Sequence, residues 1–285
     1  MKRLSTKRLL LSLALILTAS ASAFAQQARR LELRYGDLFV GPVHTARVER
    51  AQYVKQDGAL VEGPRKLAFA VSYSEDGKSR DYENYGGDGT LHGRNVVVYD
   101  DAGRRVEQKF YSGGGDLVAR IVSKPDEGEV LNYHGDGRLR QRIVTVRRED
   151  GTKEVKFYNG DGTLYGTSII KSGDGALASK SFDENGTLRG ETASQSGALG
   201  AHVQEEQRYD SIGAPSGRTV LTANSGASEF EAVVVKPDGA QLRTRETRER
   251  DARGNPVKSI KYVWDDAAGD FVPTEVFYYT VTYYR

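Results

Sequence analysis

The stretch from Tyr158 to Leu164 reads YNGDGTL, and it recurs with small changes along the middle of the chain. In each copy an aromatic residue is followed four positions later by glycine and six positions later by leucine. Successive aromatics are separated by roughly two dozen positions, a regular spacing that is typical of repeat proteins. The repeat-defining residues are Tyr85, Gly89, Leu91, Tyr111, Gly115, Leu117, Tyr133, Gly137, Leu139, Tyr158, Gly162, Leu164, Phe182, Gly186 and Leu188.

Each repeat contains two turns, because a second series of glycines falls near the midpoint between those of the first: Gly103, Gly128, Gly151 and Gly175. Most turns contain Asp-Gly or Asn-Gly, for which we expect two-residue type I′ turns with positive φ at both residues. Runs such as Asn95–Tyr99 and Glu154–Tyr158, which lie between turns, are rich in β-branched and aromatic residues. We therefore predict an all-β chain of successive antiparallel hairpins that form a solenoid-like, twisted meander sheet. We expect the aromatic and the leucine of each unit to form its core and to pack along a ladder of neighbouring units.

Residues 1–25 have the three parts of a secretory signal peptide. Four basic residues precede the apolar stretch Leu9–Leu17, and Ala23 and Ala25 form a small-x-small cleavage site. The mature chain is therefore expected to begin at Gln26 and to be exported to a periplasm or beyond. No later stretch is apolar for long enough to cross a membrane, so we expect no transmembrane segment after cleavage.

Charge and cysteine content exclude several classes of function. Without the leader, 37 basic and 39 acidic residues leave a formal charge of −2, so the charge gives no reason to expect nucleic acid as a partner. The chain has no cysteine, which rules out disulfides and thiolate chemistry.

We predict one domain over residues 26–285, with regular repeats at about 84–190, a loose boundary within 194–228 and an irregular β part at 229–285.

Some turns resemble the YD repeats of Rhs-type proteins, in which Tyr-Asp-x-x-Gly precedes a basic residue. The matching segments are Tyr99–Arg104 and Tyr209–Gly213, with a weaker match at 251–257. The five-copy unit is also similar to bacterial MORN-variant repeats. Both resemblances imply β-hairpin repeats and carry no catalytic residue. Rhs proteins are usually longer shells around a C-terminal toxin, which is not evident here, and MORN-type repeats imply contact with protein or lipid.

No pattern in the sequence indicates a catalytic, cofactor or metal site. The histidines His44, His92, His134 and His202 form no HExxH or HxH motif. Gly-Asp clusters such as Gly160–Gly162 leave calcium binding open as an alternative. However, each turn supplies one acid, and the repeat is far longer than that of calcium-binding β-rolls, so we expect the aspartates to serve the turns.

Sugar binding is the one ligand hypothesis that the composition favours. The chain has 16 tyrosines, which could stack on sugar rings if they were exposed.

An outer-membrane barrel is not favoured, because strands such as 140–148 would place charge against lipid. We predict a non-enzymatic scaffold or adhesion module of a bacterial envelope, whose partner is another envelope protein or a surface glycan. The alternatives are a glycan-binding protein that uses exposed Tyr and Phe, and a hydrolase with a dispersed site.

Overall fold

A computed structural model describes Phe39 and residues 41–173, 176–196, 202–225, 229–235 and 238–284. The predicted signal peptide, with Ala23 and Ala25, lies outside these residues, as does Gly175. The described residues contain 19 strands and no helix. The strands are β1 (Val43–Gln56), β2 (Ala59–Glu62), β3 (Lys66–Tyr73), β4 (Ser79–Tyr85), β5 (Leu91–Tyr99), β6 (Arg105–Ser112), β7 (Leu117–Lys124), β8 (Glu129–His134), β9 (Leu139–Arg147), β10 (Lys153–Asn159), β11 (Leu164–Gly173), β12 (Ala176–Asp183), β13 (Leu188–Ser196), β14 (His202–Tyr209), β15 (Pro215–Ser225), β16 (Glu229–Val235), β17 (Gln241–Arg250), β18 (Pro256–Asp265) and β19 (Asp270–Tyr283).

The strands form one antiparallel meander that closes on itself. From β3 to β19 each strand pairs with the next, and β1 pairs with both β3 and β19 to complete an 18-strand barrel. The all-β antiparallel prediction is therefore confirmed, but the solenoid-like form is wrong. Closure pairs the backbone groups that a solenoid or an open sheet would leave free at its edges. Strands β13 to β19, which contain most of the described residues of the predicted loose and irregular parts, continue the same sheet.

The repeat turns differ from the predicted two-residue type. In the loop after Tyr158, the Asn159 N–H donates to the Thr163 carbonyl at 2.9 Å, and the Gly162 N–H donates to the Asn159 carbonyl at 3.0 Å. Within this loop only Gly162 has positive φ, at 87°. Among the described residues, Asp57 is the one non-glycine residue with positive φ, at 50°. It precedes Gly58 in a turn where both φ values are positive. The repeat loops are longer than a type I′ turn, so their Asp and Asn residues need not enter the left-handed region.

Aspartate closes these loops from either of two positions. Asp161, just before the glycine, accepts the N–H of Thr163 at 2.9 Å. Asp100, directly after Tyr99, accepts the N–H of both Ala102 and Arg104. The second arrangement is the one found in the Tyr-Asp-x-x-Gly segments. Both are Asx-type side-chain bonds to the backbone, which is the turn role that the sequence predicted for aspartate.

Each aromatic of the repeat faces its own leucine across the hairpin. Tyr133 pairs with Leu139 and Tyr158 with Leu164, and the same pairing joins the aromatic and leucine of the other three copies. The strand register shifts immediately before each of the five aromatics. A β-bulge of this kind increases local twist. Its repetition at one end of the hairpins supplies curvature that the barrel needs to close.

A glycine two positions after the tyrosine lets neighbouring repeats approach closely. A Cβ on Gly160 would lie 2.0 Å from the carbonyl oxygen of Leu139, the leucine of the preceding repeat. The equivalent distances are 2.0 Å from Gly113 to Leu91 and 1.9 Å from Gly135 to Leu117. No side chain fits at these positions without a backbone shift. These three copies therefore require two glycines, one for backbone approach and one for positive φ.

Most of the buried residues of the strands lie on one face of the sheet. Val48 and Val97 are fully buried, and Phe157 and Ser168, which lie on the same face, are 7% and 3% exposed. A closed sheet encloses one of its faces, and we call the face that carries these residues the enclosed face. The opposite face, which carries Arg94 and the residues in register with it, is the outer face.

The buried apolar cluster lies on the enclosed face around the closing strands. It consists of Ala46, Val48, Phe69, Val71, Tyr82 and Phe277, with Phe39 packed against it. The repeat aromatics are not part of this core. Tyr85, Tyr111, Tyr133, Tyr158 and Phe182 follow enclosed-face residues by one position, so they lie on the outer face, where they are half-buried. The expectation that they form the core is therefore wrong.

Candidate functional site

The outer face carries a regular series of acid, arginine and tyrosine side chains. Arg120 lies directly opposite Tyr133 in the β7–β8 pairing, and its guanidinium carbon is 5.8 Å from the ring centroid. The same guanidinium bonds Glu107, with Nε 2.6 Å from the carboxylate oxygen. We call this series the arginine–tyrosine ladder. It consists of Asp81–Arg94–Tyr111, Glu107–Arg120–Tyr133 and Glu129–Arg142–Tyr158.

The ladder follows from strand alternation. In each set the acid and the arginine are 13 residues apart, which places them diagonally across one hairpin on the same face. The tyrosine comes from the next strand. Cation–π contact and ion pairing act on the same guanidinium, which holds the arginine over the sheet and limits its rotamers. The three tyrosine rings are therefore presented to solvent beside fixed positive charges.

Glu129 is expected to make unfolding depend on pH. Hydrogen bonds from Lys124 and Arg142 hold the pKa of the Glu129 carboxyl below its ordinary value. A lowered carboxyl pKa stabilises the fold above the pKa of the unfolded chain, and this contribution is lost as pH falls through the folded-state pKa. Glu129→Gln should therefore melt roughly 1–3 °C below the wild type at neutral pH. The gap should close between about pH 5 and pH 3, measured by thermal unfolding. A gap that stays constant over this range would contradict the assignment.

Next to the ladder, the outer face has a hollow of about 460 Å³ across β11 to β14. Its floor is formed by Ile169, Ala178 and Ala193. Ala178 pairs with Lys171 on one side and Ala193 on the other, and Ala193 pairs with Glu205, so two short side chains lie between two long charged ones. We call this the outer hollow. Its rim consists of Lys171, Lys180, Glu191, Glu205 and Gln207, with Thr152 at one end.

Three of the charges on the rim of the outer hollow, those of Lys180, Glu191 and Glu205, are held by partners. Lys180 Nζ lies 2.6 Å from Glu191, which also accepts the hydroxyl of Tyr209 at 2.7 Å. These two bonds lower the pKa of the Glu191 carboxyl, and the bond to Glu191 raises the pKa of Tyr209. Glu205 accepts two bonds from Arg218, at 2.8 and 3.0 Å, which lower its carboxyl pKa. The hollow therefore has an apolar floor and a charged rim on which Lys180, Glu191 and Glu205 are held in place.

The residues considered for metal or catalytic chemistry are not brought together. His44, His92, His134 and His202 lie on four different strands, β1, β5, β8 and β14. Within the described residues no group of three or more His, Asp or Glu side chains could hold a metal ion. Ser196 Oγ lies 3.4 Å from His202 Nδ1, outside any GxSxG sequence. In the described part of the chain no helix is long and apolar enough to span a membrane.

Comparison with known proteins gives structural likenesses only. No protein-family model matches the chain, and neither does any curated protein. A porin-like protein from Bacteroides uniformis aligns with 86% of this chain and 99% of its own length, at 11% identity and a TM-score of 0.39. A complex of TcdB2, TccC3 and Cdc42 aligns with 77% of this chain, at 8% identity and a TM-score of 0.16. The chain spans 17% of that second structure. With TM-scores below 0.5, neither likeness bears on function.

Neither the ladder nor the outer hollow was predicted from the sequence. The ladder has a visible signal, an acid followed 13 residues later by arginine, which also occurs at Glu205 and Arg218. The hollow has a weaker one, since Ala178 and Ala193 stand where other strands carry long outer side chains. Neither signal could be interpreted before the outer face was known.

Proposed function

We propose that this chain is an exported, non-enzymatic interaction module of the cell envelope that binds another protein through its outer face. The outer hollow carries the proposal. An apolar floor within a charged rim is the usual anatomy of a protein–protein contact, in which a partner's side chain fills a pocket and polar groups surround it. The ladder beside it offers arginine and tyrosine, two residue types that are enriched at binding hot spots.

The charge of the outer face supports an aqueous setting for the barrel. Arg94, Arg120 and Arg142 all lie on this face, each with its acid partner. An arginine on a lipid-facing surface costs about 2–4 kcal/mol at the bilayer midplane. Together with the predicted leader, this supports a periplasmic or extracellular location.

Filling the outer hollow should weaken binding strongly without disturbing the fold. Ala178 is exposed and forms the floor, so Ala178→Arg places a long side chain where the partner's anchor would sit. Ala176→Arg is the matched control, because Ala176 is exposed on the same face of β12, two positions away, and does not line the hollow. The mature protein is immobilised and exposed to an envelope extract, and retained proteins are quantified. We expect the partner's retention to fall at least about tenfold for Ala178→Arg only. Equal retention by both variants would refute the proposal.

Glycan binding is the second candidate, because the repeat tyrosines lie on the outer face and not in the core. Against it, the outer hollow has no aromatic lining, and Tyr111, Tyr133 and Tyr158 each have an arginine near the ring. A glycan array with the wild type, Tyr133→Ala and Ala178→Arg separates the two candidates. Sugar binding that is lost with Tyr133→Ala and kept with Ala178→Arg would favour the glycan role.

A further inference from the structure

A buried arginine on the enclosed face lacks an acidic partner among the described residues. Arg80 in β4 is 7% exposed, and its Nε has no hydrogen-bond partner. Its guanidinium carbon lies 4.8 Å from the ring centroid of Tyr82 and 5.7 Å from that of Tyr99. Cation–π contact offsets part of the cost of removing the charge from water, but a buried cation without a counter-charge remains unfavourable.

Strand register explains why no acid from the surrounding strands reaches Arg80. Arg80 pairs with Tyr73 and Val97, and Val97 pairs with Gln108, so these residues form one row on the enclosed face. The acids of the strands from β3 to β10 all occupy outer-face positions: Asp81, Glu83, Glu107, Glu129 and Glu154. The enclosed side of these strands therefore carries positive charge at Arg80 with no carboxylate of its own.

Other low-exposure arginines in the barrel are paired. Arg189 bonds Asp183, and Arg248 lies 2.8 Å from Glu246. Gln108, which is 6% exposed, is an uncharged neighbour in the row and accepts a bond from Arg105 at 2.9 Å. A compact anion could accept hydrogen bonds from the planar guanidinium of Arg80.

We propose that Arg80 forms an anion-binding site on the enclosed face of the barrel, between the rings of Tyr82 and Tyr99. The guanidinium fork matches carboxylate and phosphate geometry, so the ligand is a small solute or group that bears one of these anions. The tyrosine rings on either side restrict the approach to the guanidinium and give the site an aromatic wall. This site is independent of the outer-face interaction proposed above.

Thermal unfolding of the full mature protein in different anions tests the site. Unfolding midpoints are measured in sodium chloride, sodium phosphate and sodium acetate at matched ionic strength. Binding to the folded state should raise the wild-type midpoint in a saturable way, by about 2–4 °C in phosphate or acetate relative to chloride. A response to only one of the two salts would identify the anion as a phosphate or a carboxylate.

Two arginine variants make the result specific. Arg80→Met should lose the anion response and, in chloride, should be at least as stable as the wild type, because an unpaired buried charge is removed. Arg120→Met, which removes an arginine beside a tyrosine on the outer face, should keep the response. If Arg80→Met does not fold, titration calorimetry with inorganic phosphate on Arg80→Lys replaces it, and we expect at least about tenfold weaker binding. No response in the wild type, the same response in Arg80→Met, or unchanged affinity in Arg80→Lys would overturn the proposal.

Discussion

Gly160→Ala is expected to lower the free energy of unfolding by about 2–4 kcal/mol. The added methyl group would lie 2.0 Å from the carbonyl oxygen of Leu139 and 2.9 Å from its carbonyl carbon. Both atoms belong to the backbone of the neighbouring hairpin, so the clash cannot be relieved by a side-chain rotation. Relief requires the two repeats to separate, which weakens pairing on both sides of the loop.

Gly162→Ala in the same loop is the matched control. A Cβ at Gly162 would meet no atom within 4 Å, so the substitution is opposed only by its φ of 87°. Strain in the left-handed region costs roughly 1–2 kcal/mol. Denaturant unfolding of both variants should therefore show the larger loss at Gly160. Equal losses, or a larger loss at Gly162, would show that the repeats do not approach one another through this glycine.

Val48→Asp is expected to have the largest effect of any single exchange considered, a loss of about 4 kcal/mol or more. Val48 is fully buried on β1, directly opposite Phe69 in β3 and Tyr279 in β19. A carboxylate there would be surrounded by the apolar cluster that joins the two ends of the sheet. The variant should either unfold or keep its carboxyl protonated at neutral pH.

The control for Val48→Asp lies on the same strand. Val54, where β1 pairs with β2 outside the barrel, is 45% exposed, and Val54→Asp should change stability by less than about 0.5 kcal/mol. Limited proteolysis and thermal unfolding of the two variants provide the comparison. Similar stability for both would mean that the cluster on β1 is not the core of the closed barrel.

Much of the local structure could be predicted from the repeat. The aromatic–Gly–Leu spacing places a loop after Tyr85, Tyr111 and the other aromatics, and the β-branched runs between loops are strands. Adjacent residues of a strand face opposite sides of the sheet, and Phe157 and Tyr158 do so, with Phe157 buried and Tyr158 half-buried. These features depend on neighbouring residues in one hairpin, which a short stretch of sequence specifies.

Closure could not be predicted in the same way. It depends on the twist that accumulates over many hairpins and on the meeting of β1 with β19, the first and last strands of the described chain. The choice of core face was wrong for a related reason. A strand pattern shows which residues share a face but not which face becomes enclosed, and Tyr133 and Val130 are equally plausible core residues until the curvature is known. Only the curvature makes the outer hollow and the row around Arg80 recognisable as sites.

The pairing of β1 with β19 is the central feature of the fold, and a cysteine pair tests it directly. Arg47 and Thr280 are register partners across this seam, and the chain has no native cysteine. Arg47→Cys/Thr280→Cys should form an intramolecular disulfide on mild oxidation, whereas Arg47→Cys/Arg120→Cys should not. In an open sheet of this many strands spaced about 4.8 Å apart, the two edges would be roughly 80 Å apart. Disulfide-linked monomer from the first pair is the expected result; reduced monomer, or disulfide-linked dimer alone, would show that the sheet does not close.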